Sequence, residues 1–233
     1  MAQAAPGLDR IALLAGLSEE ARATLTRACA WRRFDAHEVI IDRADEGRDV
    51  FFVVEGRVRI VNYSAGGREI SFDDLDAGTF FGELSAIDGE PRSAAVIALT
   101  PVRVAVMPGT AFLRVATHEP EVGEAVLRHL AAMVRRSTER IMDLSTLAAN
   151  NRVHAEVLRL ARAGIARDGR TAVIRPIPIH GDIAARVSTA RETVARVFGE
   201  LSREGLVIRR ADHLEVTDFA ALEAMVETVR GEI

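Results

Sequence analysis

The chain has 233 residues, of which 48% are hydrophobic and 27% charged, as is typical of a globular protein with one large or two modest domains. It contains no apolar run near the about 18 residues that span a bilayer, and its start lacks the basic and apolar segments of a secretory signal, so we predict a cytoplasmic protein without membrane contact. The net charge of −4 counts mildly against nucleic-acid binding, but segment 176–210 holds six arginines against four acids, so positive charge is concentrated late in the chain.

The first part of the chain is predicted to form short helices over residues 8–30, because Ser18 is a suitable N-cap that is followed by two acids. Cys29, the single cysteine, excludes an intrachain disulfide, a CxxC redox pair and a cysteine-bound iron–sulfur cluster. We expect its thiol to be buried and unreactive.

From about Arg33 to Val106 the pattern changes to short runs of valine, isoleucine and phenylalanine separated by glycines. Many short strands with glycine turns indicate a sandwich or a barrel-like roll. The Gly66-Gly67 pair between two such runs predicts a hairpin.

A long helix is predicted over residues 121–150, which contain no proline and no glycine after Gly123. Its inward positions recur at spacings of three and four: Val126, Leu130, Met133, Ser137, Ile141, Leu144 and Ala148. This narrow stripe favours a coiled-coil seam between two copies of the chain. The alternative is a long helix that packs on its own domain.

The C-terminal part is predicted to contain a helix over residues 152–166, a short strand over Val173–Ile177, and two helices at His180–Val187 and Ala190–Glu204. Gly205 suits the end of the second of these helices. The runs LVIRR and LEV, joined by a polar turn, predict a hairpin, and residues 219–230 predict a last helix.

Residues 81–96, FGELSAIDGEPRSAAV, carry groups that suit a nucleotide monophosphate. Gly82 lets the backbone approach a ligand closely, and residues 83–87 can form a short helix whose amides face an anion. Arg92 offers a charged fork for phosphate and Ser93 a hydroxyl donor, whereas Glu83 can accept a hydrogen bond from a sugar hydroxyl. The plainer alternative is a surface loop with a Glu83–Arg92 salt bridge.

Residues 179–210 have the layout of a winged helix-turn-helix, two amphipathic helices with a short turn and then a hairpin. The second helix is predicted to bury Val194, Val197, Phe198 and Leu201. Its opposite face carries Arg191, Glu192 and Arg196, which can pair with base edges in a major groove. The alternative is an ordinary solvated face with i, i+4 pairs such as Arg196–Glu200.

The RETVAR string at the start of that helix, followed by the VIRR hairpin, resembles the Crp/Fnr family of regulators. The glycine–acid–leucine start and Arg-Ser-Ala finish of residues 82–94 resemble the phosphate-binding cassette of cyclic-nucleotide-binding domains. The resemblance covers about residues 13–217 and implies that Glu83 binds the ribose 2′-hydroxyl, while Arg92 and Ser93 bind the cyclic phosphate. It also implies that Ser137 and Thr138 contact the purine at the dimer seam; the alternative for Ser137 is a polar residue that sets helix register.

The resemblance therefore assigns two sets of site residues. The expected ligand contacts are Gly82, Glu83, Leu84, Ser85, Arg92, Ser93, Ala94, Ser137 and Thr138. The expected DNA contacts are Thr189, Arg191, Glu192, Thr193, Arg196 and Arg209.

Two positions depart from the pattern of many relatives. Ala190 stands where many have a serine, so Ser188 or Thr189 would have to supply that phosphate contact. Met133 stands where some have an arginine near the ribose, which leaves adenine and guanine both open.

Three alternative functions conflict with these features. A regulator that senses oxygen through a cluster conflicts with the single cysteine, and a haem sensor would need an axial ligand, for which the β-rich part offers His37 alone. A cupin-like enzyme needs clustered histidines on a metal, which this part lacks. We therefore predict a non-enzyme without metal or cofactor.

The prediction is an α+β protein with a cyclic-nucleotide-binding β-roll and N-terminal helices (1–120), a dimerisation helix (121–150) and a winged helix-turn-helix domain (151–233). Cyclic AMP or cyclic GMP is the expected effector. The expected partners are a palindromic DNA operator, a second copy of the chain and RNA polymerase. The alternative is a regulator of the same type that answers another signal or is constitutively active.

Overall fold

The computed structural model describes residues 7–43 and 45–231, which form two compact units divided between Val134 and Arg135. The division falls inside a long helix.

The first unit begins with two short 3-10 turns, Leu8–Arg10 and Ala12–Leu14, and is otherwise built from eight strands and several helices. Ser18 caps the first helix as predicted, since its hydroxyl accepts a hydrogen bond of 3.2 Å from the amide of Ala21. The strands are β1 (Ala30–Phe34), β2 (Val39–Ile41), β3 (Val50–Glu55), β4 (Arg57–Tyr63), β5 (Glu69–Asp76), β6 (Phe80–Phe81), β7 (Ala95–Ala98) and β8 (Val102–Met107). The helices are α1 (Glu19–Ala28), α2 (Glu83–Asp88), α3 (Gly109–His118) and α4 (Pro120–Thr146), the last continuing into the second unit.

The strands form two antiparallel four-stranded sheets, in the orders β1-β8-β3-β6 and β2-β7-β4-β5. Strand β3 explains why this part of the sequence is so apolar. Phe51 and Val53 pack into a core shared by both sheets, while Val50, Phe52 and Val54 pack on the other side against helices. A strand buried on both faces has no polar alternation. The predicted β-roll and the β4–β5 hairpin at Gly66-Gly67 are confirmed.

Helix α3 was not predicted. It begins after Pro108 and buries Phe112 in the same core as Phe52 and Phe80. Cys29 is buried there too, and burial raises the pKa of its thiol to about 11. The expected buried thiol is therefore found.

The second unit contains α5 (Ala149–Arg162), α6 (His180–Arg186), α7 (Arg191–Arg203) and α8 (Phe219–Gly231) around a small antiparallel sheet. The sheet has the order β10-β11-β9, with β9 at Ala172–Ile174, β10 at Val207–Arg209 and β11 at Leu214–Val216. Strand β9 is shorter than predicted and stops before Pro176, and α5 begins three residues earlier than predicted. The predicted hairpin and the end of α7 near Gly205 are confirmed.

The seam predicted along α4 is partly wrong. Val126 is 6% exposed and lies in the core of the first unit, against which Leu130 also packs. The exposed apolar side chains start one position later, at Leu127 (69% exposed), and recur at Val134 and Ile141 (63%). The early turns of α4 thus pack on their own domain, and a seven-residue spacing of exposed side chains runs along the other face.

His154 on α5 provides a pH-dependent term in the stability of the second unit. Burial lowers the pKa of His154, against the opposing field of Glu200 and Glu204. The unfolded chain therefore binds this proton more readily than the folded one, and stability falls as the pH drops below about 6.5.

We expect the free energy of unfolding of the second unit to be lower at about pH 5.5 than at about pH 7.5, as measured by urea unfolding. The variant His154→Leu should show a smaller difference, because it removes one titrating group. An identical pH dependence in both proteins would contradict this assignment.

Candidate functional site

Gly82 forms the turn that opens the candidate ligand site. It joins β6 to α2 with a φ of +85°, a left-handed conformation that favours glycine. A Cβ there would lie 2.8 Å from Nη1 of Arg92 and 2.8 Å from the carbonyl oxygen of Asp49. The glycine is therefore required both for the turn and for the close approach of Arg92.

Arg92 is held rigidly beneath this turn and is 6% exposed. Its Nη1 donates to the carbonyl of Gly82 at 2.9 Å and its Nη2 to the carbonyl of Asp49 at 2.8 Å. The guanidinium also lies 5.9 Å from the ring centroid of Phe51. Arg92 therefore bonds to backbone carbonyls in place of the Glu83–Arg92 salt bridge considered as the alternative, and the sequence did not predict these two contacts.

The charge on Arg92 is only partly compensated. Burial lowers the pKa of its guanidinium, while Asp49, Asp45 and Glu83 act in the opposite direction. Its Nε is buried and has no hydrogen-bond partner among the described residues. A buried cation with an unused donor stabilises an anion placed beside it.

Glu83, the first residue of α2, is 4% exposed. Its Oε1 lies 3.5 Å from Nε2 of His129 on α4. The sequence did not single out His129, because it is 46 positions away and belongs to no recognisable motif.

The other cassette residues lie next to these groups. Leu84 and Ala94 are half-buried, Ser85 is buried, and Ser93 is exposed. The carbonyl of Ser93 accepts a hydrogen bond of 3.1 Å from Nδ2 of Asn62 on β4. The cassette is therefore tied to β4 directly after Arg92.

Ser137 and Thr138 lie on the part of α4 that belongs to the second unit, and both are exposed. They follow Val134 on the same helix. Their role as base contacts stays a prediction.

The candidate DNA-reading surface is the exposed face of α7. The predicted inward residues are all buried: Val194, Val197, Phe198 and Leu201. Arg191, Glu192 and Arg196 are exposed on the other face, and Thr193 is half-buried. The two-helix layout predicted from the sequence is confirmed, and α6 and α7 share one core.

Arg191 and Arg209 are close enough to act on the same histidine. Burial lowers the pKa of His180, and these two arginines lower it further. His180 begins α6 and lies against Phe198 of α7, with ring centroids 5.2 Å apart. The first residue of α7 and the end of β10 therefore contribute to one positive region.

Arg196 is engaged within the chain. Its Nη1 lies 3.3 Å from Oε1 of Glu200 and its Nη2 donates to Oδ1 of Asn150 at 2.8 Å. The i, i+4 pair considered as the ordinary alternative is thus present. Exposed pairs of this kind contribute little to stability, so Arg196 can exchange its partners for a base edge at small cost.

Thr189 lies in the turn between the two helices, and Arg152 holds this turn from below. Nε of Arg152 donates to the carbonyl of Val187 at 2.8 Å, and its Nη2 donates to the carbonyl of Ser188 at 3.1 Å. Its Nη1 donates to the carbonyl of Leu147 at 2.8 Å. Ser188 has a φ of +53°, which a serine adopts only when its surroundings hold it there. Sequence reasoning missed Arg152, since its partners are backbone carbonyls and the two in the turn lie 35 and 36 residues away.

We expect Arg152→Ala to lower the free energy of unfolding of the second unit by about 3 kcal/mol, because three carbonyls lose a charged donor at once. Urea unfolding measures this loss. The exposed Arg203 of α7 supplies the matched control, and Arg203→Ala should change the value by less than about 0.5 kcal/mol. Equal effects of the two substitutions would show that Arg152 does not hold the turn.

Among the described residues, no helix is long and apolar enough to cross a membrane. Within the same part of the chain, no group of three or more histidine, cysteine, aspartate and glutamate side chains is arranged to hold a metal ion.

Two family models match the chain. The one described as the cyclic nucleotide-binding domain matches residues 31–119. The one described as the Crp-like helix-turn-helix domain matches residues 151–225. The two matches cover the cassette around Arg92 and the α6–α7 pair, respectively.

Several known proteins are similar over most of their length. The Thermus thermophilus protein named Cyclic AMP receptor protein is 31% identical over 82% of this chain and 86% of its own. A Mycobacterium tuberculosis protein named CRP-like cAMP-activated global transcriptional regulator is 26% identical over 91% of this chain and 94% of its own. The solved structure of a CooA mutant from Carboxydothermus hydrogenoformans matches with a TM-score of 0.80 and 19% identity, covering 96% of this chain and 97% of that one, a likeness of fold.

Proposed function

This chain belongs to the Crp/Fnr family of transcriptional regulators, and on that basis we propose that cyclic AMP is the effector that controls its binding to DNA. It joins a cyclic nucleotide-binding domain to a Crp-like helix-turn-helix domain. The observation that carries the proposal is the buried Arg92, whose Nε has no hydrogen-bond partner among the described residues.

The residues around Arg92 fit a cyclic nucleotide. Its phosphate carries one negative charge, which matches one guanidinium that is already fixed by Gly82 and Asp49. Ser93 would add a hydroxyl donor, and Glu83 would accept from the ribose 2′-hydroxyl. Leu84, Ser85 and Ala94 would complete the wall of the site.

Cyclic AMP is preferred over cyclic GMP because the names of the two relatives above refer to cyclic AMP. Ser137 and Thr138 would contact the base, and a hydroxyl group can donate to or accept from either purine. Met133 lies one turn earlier and offers no charge to the ribose. The choice of purine would then depend on the pair of hydroxyls.

The chain would act as a homodimer through the segment 121–150, most of which is α4. Leu127, Val134 and Ile141 are exposed at seven-residue intervals, as in a coiled-coil seam, and Leu144 is exposed three residues after Ile141, the other spacing of such a seam. Their burial between two copies would account for large apolar side chains on the surface of α4. In this proposal residues 1–120 sense the nucleotide and residues 151–233 read DNA.

Arg191, Glu192 and Arg196 would read base edges in the major groove, and Thr189, Thr193 and Arg209 would contact the adjacent backbone or groove. Two copies of α7 spaced by about 34 Å, one turn of DNA, would match a palindromic operator. Binding of the nucleotide would shift an existing equilibrium toward this spacing, typically by about 1–3 kcal/mol.

In the bacterial cytoplasm the dimer would bind its operator and regulate transcription, with RNA polymerase as the further partner. This role needs no catalytic step, and we therefore propose a regulator without enzymatic activity.

Calorimetric titration of the full chain with cyclic AMP and with cyclic GMP tests the proposal. We expect binding of both, with higher affinity for cyclic AMP. DNA sequences selected from a random pool with and without cyclic AMP would then show a palindromic site that is enriched only with the nucleotide. Enrichment of the same site without any nucleotide would instead favour a constitutively active regulator.

A further inference from the structure

Glu83 and His129 form a buried contact between the cassette and α4, within the first unit. The carboxylate of Glu83 is almost fully buried, and Nε2 of His129 lies 3.5 Å from its Oε1. The imidazole ring rests against Phe80, with centroids 4.6 Å apart. Its Nε2 is buried and makes no hydrogen bond to a described residue. A small shift of either side chain would bring Nε2 of His129 and Oε1 of Glu83 within hydrogen-bonding distance.

Other charged groups lie around this contact. Glu83 and Arg92 attract each other, and Asp49 and Asp45 also act on Arg92. On α4, Arg128 and Glu124 pair with each other at 2.6 Å on the exposed surface. Histidine is the residue type whose ordinary pKa lies between about 5 and 8, and His129 is the histidine in contact with Glu83.

We propose that His129 is a positioning residue for nucleotide binding, which holds the Glu83 carboxylate in place through a charged contact. The inference rests on the proposed function. A buried carboxylate is costly unless a positive group compensates it. The nucleotide brings the negative charge of its phosphate next to the already buried Glu83, and this added negative charge favours the protonated form of His129.

The proton balance follows from this arrangement. The ribose 2′-hydroxyl donates to one oxygen of Glu83, and protonated His129 donates from Nε2 to the other. Binding at neutral pH therefore takes up as much as one proton from the solvent. By linkage, the affinity for the nucleotide rises as the pH falls through the range in which an imidazole titrates.

Calorimetric titration with cyclic AMP between about pH 5.5 and about pH 8 tests this assignment, within the range where carboxylates stay ionised. We expect affinity to be about fivefold higher at the acid end, a change of the size expected for one coupled titrating group. Titrations in buffers of different ionisation enthalpy measure how many protons are taken up when the nucleotide binds. The original chain should show net proton uptake, and this measurement needs no variant.

The variant His129→Gln keeps a hydrogen-bond donor of similar size but cannot be protonated. It should bind with the affinity of the original chain at high pH and show neither the acid increase nor the proton uptake. His118→Gln, at an exposed histidine of α3, serves as the matched control and should keep both.

The outcomes separate the two proposals. Binding of cyclic AMP without proton uptake, or an unchanged pH profile in His129→Gln, would overturn the role of His129 and leave the proposed function standing. Absence of binding of any cyclic nucleotide at every pH would overturn both.

Discussion

Replacing Arg92 by alanine is expected to lower the affinity for cyclic AMP by about 100-fold, equivalent to about 3 kcal/mol, because charge-assisted hydrogen bonds to the phosphate are lost from a buried site. The guanidinium is already fixed by two backbone carbonyls, so no other side chain of the cassette can replace its charge at the same place. Calorimetric titration of the variant gives the affinity directly.

Two controls make this result specific. Arg48 is an exposed arginine whose guanidinium lies close in space to Gly89 of the cassette, and Arg48→Ala should leave the affinity unchanged. Arg92→Lys keeps the charge but loses the planar fork, so an intermediate affinity is expected. Far-ultraviolet circular dichroism of each variant checks the fold. Binding of cyclic AMP by Arg92→Ala within about threefold of the original chain, a difference of less than about 1 kcal/mol, would show that the phosphate lies elsewhere.

Replacing Arg191 by alanine is expected to weaken binding to the cognate operator by about 1–3 kcal/mol and to relax specificity at one base pair. Arg191 is exposed at the first position of α7, where the recognition helix of this type of domain meets base edges. Binding isotherms on the operator and on single-base variants, at one fixed salt concentration, measure both effects.

The same helix provides the control for this experiment. Arg203 is exposed at the opposite end of α7. Arg203→Ala should cause only a small change in DNA affinity, and that change should be the same for every DNA sequence. A loss in Arg191→Ala that is the same on every DNA sequence would contradict base reading and would assign this arginine to the phosphate backbone.

Local patterns account for much of what could be predicted from the sequence. The apolar run of β3 required burial on both faces, and the glycine at position 82 marked a turn that no other residue adopts easily. The burial of Val194, Val197, Phe198 and Leu201 followed from helical periodicity alone. These features depend on residues a few positions apart, for which spacing is a sufficient guide.

Contacts between distant segments could not be predicted in this way. Arg152 bonds to the backbone of the turn near Ser188, and any residue type presents the same carbonyls there. His129 meets Glu83 because two elements pack together, and nothing in the sequence near either residue signals it. On α4, Val126 and Leu127 are neighbours about 100° apart around the helix axis. Which of them faces the core depends on what the rest of the domain places beside the helix.

Control of DNA binding by cyclic AMP is tested most directly by the affinity of the full chain for its selected operator, measured by fluorescence anisotropy at fixed salt with and without saturating cyclic AMP. We expect the nucleotide to tighten binding by about tenfold or more, the range of typical allosteric coupling. The same operator affinity in both conditions, in a sample shown by calorimetry to be loaded with nucleotide, would contradict it.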